Sequence, residues 1–194
     1  MRRYLKDSLV VLERRHNLFV IFNILFFTIV FFSALIISFL LPPPLAEGTA
    51  QWMPSSLFGA DWLSMFLGIF LFNLLFCSVI TLVLSGLAIF ILPAALLSYR
   101  AFLWGMLIAF VPSWQFLLAL PTLVLEAEAY VLASVVGTTL GLSWLRPSLV
   151  FRGEPSRLNA LKQALREAAH ICIFVVLLLL IAAIIETITI QICR

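Results

Sequence analysis

Long charge-free apolar runs alternate with short polar or basic segments along this chain, a rhythm that predicts membrane-spanning helices. Residues 17 to 41 hold no charge over 25 positions and stop at Pro42-Pro43-Pro44, which cannot continue a helix. Residues 62 to 111 form a 50-residue run with one charge, Arg100, too long for one crossing and about right for two. The turn inside that run is expected near Ser85-Gly86, with Pro93 as a second break. Pro112-Ser113-Trp114-Gln115 can reverse the chain into a fourth span, expected from about Pro121 to Leu142. A last apolar run extends from Ile171 to Ile192; before it, Ser156 as N-cap and Leu158, Leu161 and Leu165 at helical spacing predict an interfacial helix. The expected fold is all-α, a polytopic transmembrane bundle of about five spans with amphipathic interfacial helices.

Composition removes the alternatives. Of 194 residues, 64% are apolar and 11% charged, whereas a soluble domain carries about 25% charged residues, so a water-soluble globule is excluded. Eighteen Phe exclude a disordered chain, and 8 Gly and 3 Cys exclude collagen-like and disulfide-stapled architectures.

The placement of charge predicts orientation. Five Lys and Arg lie in residues 1 to 16 and five in 143 to 170, against none in 42 to 61, which holds Glu47, Asp61 and Trp52 with Trp62 beside it. By the positive-inside bias, residues 1 to 16 form a cytoplasmic amphipathic segment whose Leu5, Leu9 and Leu12 face the bilayer surface. Residues 17 to 194 then form one transmembrane domain, with 42 to 61 an outer loop and 143 to 170 a cytoplasmic basic loop. The expected location is the inner (cytoplasmic) membrane, multi-pass. A four-span arrangement would put the second basic cluster outside.

Charges inside spans cost about 2.5 to 3.5 kcal/mol each at a helix centre on insertion scales, so they face the bundle interior and find partners. Arg100, Glu126, Glu128 and Glu186 qualify, either as an ion-pair lock or as a proton or ion site. At about 100° per residue, Glu126 shares a face with Ala133, Gly137 and Gly141, a small-residue strip for close helix packing, while Glu128 turns toward Leu132 and Val135. Rise arithmetic places Glu126 and Glu186 at similar depth, and Arg100 beside them if the third span starts after Gly86. The expectation is an outer-half cluster in which Arg100 pairs with Glu126 or Glu186.

Two segments carry a family resemblance: LPTLVLEAEAYVLASVVGTTLG over 120 to 141, and ALREAAHICIFVVLLLLIAAIIETITI over 164 to 190. They resemble the stage II sporulation protein M family through Leu120, Pro121, Glu126, Ala129, Ala133, Gly137, Leu140 and Gly141 in one signature, and Ala183, Glu186 and Thr189 in the other. Asn73 is similar to an early second-span Asn of the family and joins the polar cluster on that ground. The chain departs at Thr122-Leu123, where the family has His-Gly, and at Arg100-Ala101, where it has Asn-Gly. The resemblance implies a polytopic scaffold whose sporulation member works with peptidoglycan-degrading partners, with no established catalytic role.

Motifs of other chemistries do not occur. Cys77, Cys172 and Cys193 show no metal spacing, His16 and His170 form no ligand pair, and no Walker loop, dinucleotide glycines or nucleophile elbow is present. Asp7 and Asp61 flank spans on opposite sides, which disfavours an intramembrane aspartyl dyad. The expected protein is a non-catalytic scaffold with no metal, cofactor or nucleic acid. Its expected partners are the bilayer and membrane or envelope proteins, with a homo-oligomer as a further option. The rival reading is a transport or lipid-handling component that uses the Arg/Glu cluster.

Overall fold

The computed structural model describes residues 9–40, 61–110, 113–151 and 156–192, which are almost entirely helical with no strand among them. Five helices are long and apolar enough to cross a membrane. They are α1 (His16–Leu40), α2 (Trp62–Ala88), α3 (Leu92–Phe110), α4 (Ser113–Leu145) and α5 (Arg157–Ile192). Successive helices run in opposite directions. One end of the bundle therefore gathers residues 9–15, the 89–91 turn and the α4–α5 connection, and it carries Arg14, Arg15, Arg146, Arg157, Lys162 and Arg166. The expected outer loop, with Glu47 and Trp52, as well as Leu5 and Cys193, lies outside the described residues.

Helix α4 is the axis of the molecule. Every residue from 129 to 141 is buried: Leu132 and Val135, on the side toward which Glu128 turns, are as enclosed as Ala133 and Gly137. Small side chains on α4 make this possible, because they let neighbouring backbones approach from several directions. Its most extensive partner is α5, whose Ala160, Ala164, Ala168, Ile171, Val175, Leu179 and Ala182 form a buried stripe at helical spacing. Helix α1 packs chiefly on α3, where Phe26 meets Trp104 edge to face at 5.4 Å and Gly105 lies so close to α1 that a Cβ there would collide with Ser33 Oγ.

Helix α2 begins with Asp61 as N-cap, accepting from the Ser64 amide at 3.2 Å and the Ser64 hydroxyl at 2.6 Å. From Phe72 to Leu84 it is wound as a π-helix. Ser78 Oγ and Thr81 Oγ1 donate to the carbonyls of Asn73 and Phe76, five residues back, and the buried positions Asn73, Cys77, Ser78 and Leu82 follow that wider turn.

Three expected boundaries are corrected. The α2–α3 turn is at 89–91, not at Ser85-Gly86, because Pro93 sits in the first turn of α3, where its missing N–H costs nothing. Gly86 is instead a buried contact point whose Cβ would collide with the Gly137 backbone. Helix α4 begins at Ser113 and runs through Pro121 rather than starting there. Finally, the interfacial helix and the last span are one 36-residue helix, since 157–192 contains no Gly or Pro to break it. At 1.5 Å per residue it is roughly 54 Å long, well beyond a hydrocarbon core of about 30 Å. Ser156 does cap it, its Oγ accepting from the Asn159 amide at 3.4 Å. The 143–170 loop thereby shrinks to a short connection carrying one helical turn, Pro147–Val150.

Candidate functional site

Three helices bring polar side chains to one place inside the bundle. Asn73 stands early in the π-wound stretch of α2 and donates from Nδ2 to Glu126 Oε1 on α4 at 2.6 Å. The Tyr130 hydroxyl, one turn further along α4, donates to Asn73 Oδ1 at 2.8 Å. Arg100 on α3 donates from Nη2 to that hydroxyl at 2.7 Å and lies over the Tyr130 ring, 4.0 Å from its centroid, a cation–π contact strengthened by desolvation. The result is a chain of hydrogen bonds running Arg100, Tyr130, Asn73, Glu126. Glu186 on α5 lies near enough to Glu126 for their charges to interact.

This arrangement corrects the expected direct pair. Among the described residues no ion pair joins Arg100 to Glu126 or Glu186; Tyr130 and Asn73 stand between. The cause is the late turn. With α3 starting at Leu92, Arg100 has climbed roughly 12 Å, which brings it to Tyr130, one turn short of Glu126. By sequence Tyr130 belongs with the apolar positions, and its only polar signal is that it falls four residues after Glu126 on the same face.

Glu128 stands apart from this chain. It points toward α1, where Asn23 Nδ2 donates to its Oε2 at 3.4 Å. The small residues of α4 serve close approach instead: a Cβ on Gly137 would collide with the Leu82 carbonyl, and one on Gly141 with the Gly86 carbonyl. Ala133 is buried beside them. The strip therefore seats α2 against α4 and holds Asn73 within reach of Glu126. Several polar atoms at the site keep open valences. Arg100 Nε is buried without a hydrogen-bond partner, as is the hydroxyl of Thr122, one turn before Glu126.

A second polar cluster, absent from the sequence expectations, lies at the basic end. Arg15, in the turn before α1, donates to Glu167 Oε2 from Nε at 3.0 Å and from Nη2 at 2.6 Å, and from Nη1 to the Val150 carbonyl at 3.1 Å. Its guanidinium also covers the Phe151 ring at 5.1 Å. Arg14 adds a weaker contact to Glu167 Oε1 at 3.3 Å. One carboxylate thus ties the chain's N-terminal segment, the α4–α5 connection and α5 together. Among the described residues no three His, Cys, Asp or Glu converge to hold a metal ion.

An all-α bundle with five membrane-crossing helices and charges folded into its interior defines a polytopic membrane protein. The match to the model of the stage II sporulation protein M family covers residues 18–189, nearly the whole bundle with both Glu-bearing signatures. The chain belongs to that family. No curated protein and no solved structure matches it.

Proposed function

We propose that the protein is a non-catalytic scaffold of the inner (cytoplasmic) membrane, with its basic end in the cytoplasm, serving a cell-envelope machinery through partner proteins. The observation that carries this reading is how the buried charges are committed: the Arg100-to-Glu126 chain ties α2, α3 and α4, and Arg15–Glu167 ties the N-terminal segment to α5. Polar groups spent on holding helices together suit a rigid platform. A peptidoglycan-remodelling partner is the reading the family resemblance favours. The test is purification in mild detergent after cross-linking in cells, followed by assay of the eluate for peptidoglycan-degrading activity. Co-purified activity that survives washing supports the scaffold, and its absence under conditions that retain the intact bundle counts against it.

A second reading, transport or lipid handling, is favoured by the open valences of Arg100 Nε and Thr122 Oγ1 beside two neighbouring carboxylates. The Thr122 hydroxyl and the carboxylates can accept a proton or small cation, whereas Arg100 Nε is a donor and takes a water or an anion. Reconstitution in liposomes loaded with a pH-sensitive dye tests it: proton flux above protein-free vesicles, lost in Glu126→Gln, would replace the scaffold reading.

A further inference from the structure

At the basic end an open cleft of about 690 Å³ lies beside the Arg15–Glu167 pair, within the size range of small-ligand sites. Its floor is electrically spent. All three guanidinium nitrogens of Arg15 are engaged, two by Glu167 and one by the Val150 carbonyl, so that pair is neutral as a unit. Arg14 also lines the cleft. It uses one nitrogen on Glu167, and its side chain is 57% exposed, which leaves one net positive charge facing the opening. Ser148 and Gln163, both exposed, add neutral hydrogen-bonding groups to the rim, and no carboxylate stands among the described lining residues.

One planar cation, a hydroxyl and an amide around an open cleft fit a singly charged phosphate ester. Position and the apolar wall decide its source. Gln163 lies eight residues before Ile171, roughly 12 Å by helical rise and a few ångströms beyond a headgroup layer about 5 to 8 Å thick, so the cleft opens at the water-side face of the headgroups. Leu149, 67% exposed, and Phe151 border the same cleft, as the glycerol and upper acyl chain of a lipid require. Exposed Arg146, Lys162 and Arg166 at this end raise the local concentration of anions. We propose that the cleft is a phosphate site that takes the headgroup of an anionic phospholipid, held chiefly by Arg14. The site stands whether the protein is a scaffold or a transporter, because it uses none of the intramembrane charges.

The test is thermal unfolding of the full chain in a neutral detergent, titrated with phosphatidylglycerol, phosphatidylcholine or glycerol phosphate. Phosphatidylglycerol is expected to raise the melting temperature saturably. Arg14→Gln should weaken its apparent affinity about fivefold. Gln163→Glu, which sets a carboxylate in the rim and leaves the Arg15–Glu167 pair intact, should remove the response even if Arg14→Gln proves too unstable to titrate. Arg157→Gln, at the same end but outside the lining, should respond like the parent. An equal shift with phosphatidylcholine overturns the site in favour of general lipid solvation, and equal weakening by Arg157→Gln and Arg14→Gln overturns it in favour of diffuse attraction. A saturable shift with glycerol phosphate as large as that with phosphatidylglycerol overturns the lipid source and assigns the site to a soluble phosphate ester.

Discussion

Glu126 in the middle of the bundle and Glu167 at its basic end are equally hidden, 7% and 5% exposed, yet they are satisfied in opposite ways. Glu126 is reached through two neutral intermediaries, Asn73 and Tyr130, with its cation at the far end of the chain. Glu167 grips Arg15 directly through two short contacts and Arg14 through a third. The difference follows from what each segment can bring close. Inside the membrane a second charge is expensive and its height is fixed by where its helix starts, so neutral side chains bridge the gap. At the end of the bundle, basic residues are abundant, and a short turn at Arg15 delivers one onto the carboxylate.

The largest expected effect breaks the direct pair. Glu167→Ala leaves Arg15 buried without a counter-charge, a loss of about 3 to 5 kcal/mol. Thermal unfolding in detergent should show a larger drop than for Gly137→Leu, Arg100→Gln or Tyr130→Phe, and Arg15→Met combined with Glu167→Met should recover most of it. If Glu126→Ala is as harmful as Glu167→Ala, the contrast between the direct and the relayed charge disappears.

The second prediction tests what holds the relay together. Gly137→Leu drives a side chain into the Leu82 carbonyl, where neither backbone can yield, and overpacking of this kind costs up to about 3 kcal/mol. Val135→Leu enlarges a side chain that already sits in the core, so it should cost less but not nothing. Gly68 has open space around its position, so Gly68→Ala should leave the melting temperature unchanged or raise it slightly. Equal tolerance of Gly137→Leu and Gly68→Ala would remove the close approach of α2 and α4.

Smaller again is the loss of one link. Tyr130→Phe removes the hydroxyl between Arg100 and Asn73 but keeps the ring under the guanidinium, so the cost should be about 1 kcal/mol, the low end for an unsatisfied buried group. Arg100→Gln should cost more, and adding Glu126→Gln should restore part of the stability. Full additivity of Arg100→Gln and Glu126→Gln in a double-mutant cycle would show that the relay transmits no coupling.

What is legible in the sequence divides along the same line. Whereas Asn73 enters only through the family resemblance, the spans, the Ser156 cap and the intramembrane charges Arg100 and Glu126 are readable because each rests on a residue type that is costly or directional where it stands. Tyr130 is not, because a phenol in an apolar run is indistinguishable from packing. Glu167 is not, because a carboxylate in a basic segment is cheap and carries no signal of burial; only the fold shows that Arg15, itself held by the Val150 carbonyl, closes over it. Gly86 reads as a turn because glycine marks both turns and close contacts, and Pro93 competes for the same role. The π-winding of Phe72–Leu84 has no period in the sequence that separates it from an ordinary helix.

The smallest expected effect lies at the other end of the bundle from the Arg15–Glu167 pair, where a carboxylate works fully in water. The hydroxyl and amide of Ser64 hold the Asp61 carboxyl below its ordinary value of 3.8, because both donate to the charged form. A carboxylate with a lowered value in the folded state contributes stability that is present above the unfolded value and lost as pH falls through the folded one. The first turn of α2 should therefore loosen only below about pH 4. The amide resonance of Ser64 in micelles reports this directly, shifting with acid in the parent and staying flat in Asp61→Asn, whose amide oxygen still accepts but does not titrate. The whole bundle should melt at nearly the same temperature in both, since an exposed cap supports one turn while Glu167 supports three segments. An acid shift at Ser64 that persists in Asp61→Asn would trace the loosening to another carboxylate and leave Asp61 without a part in it.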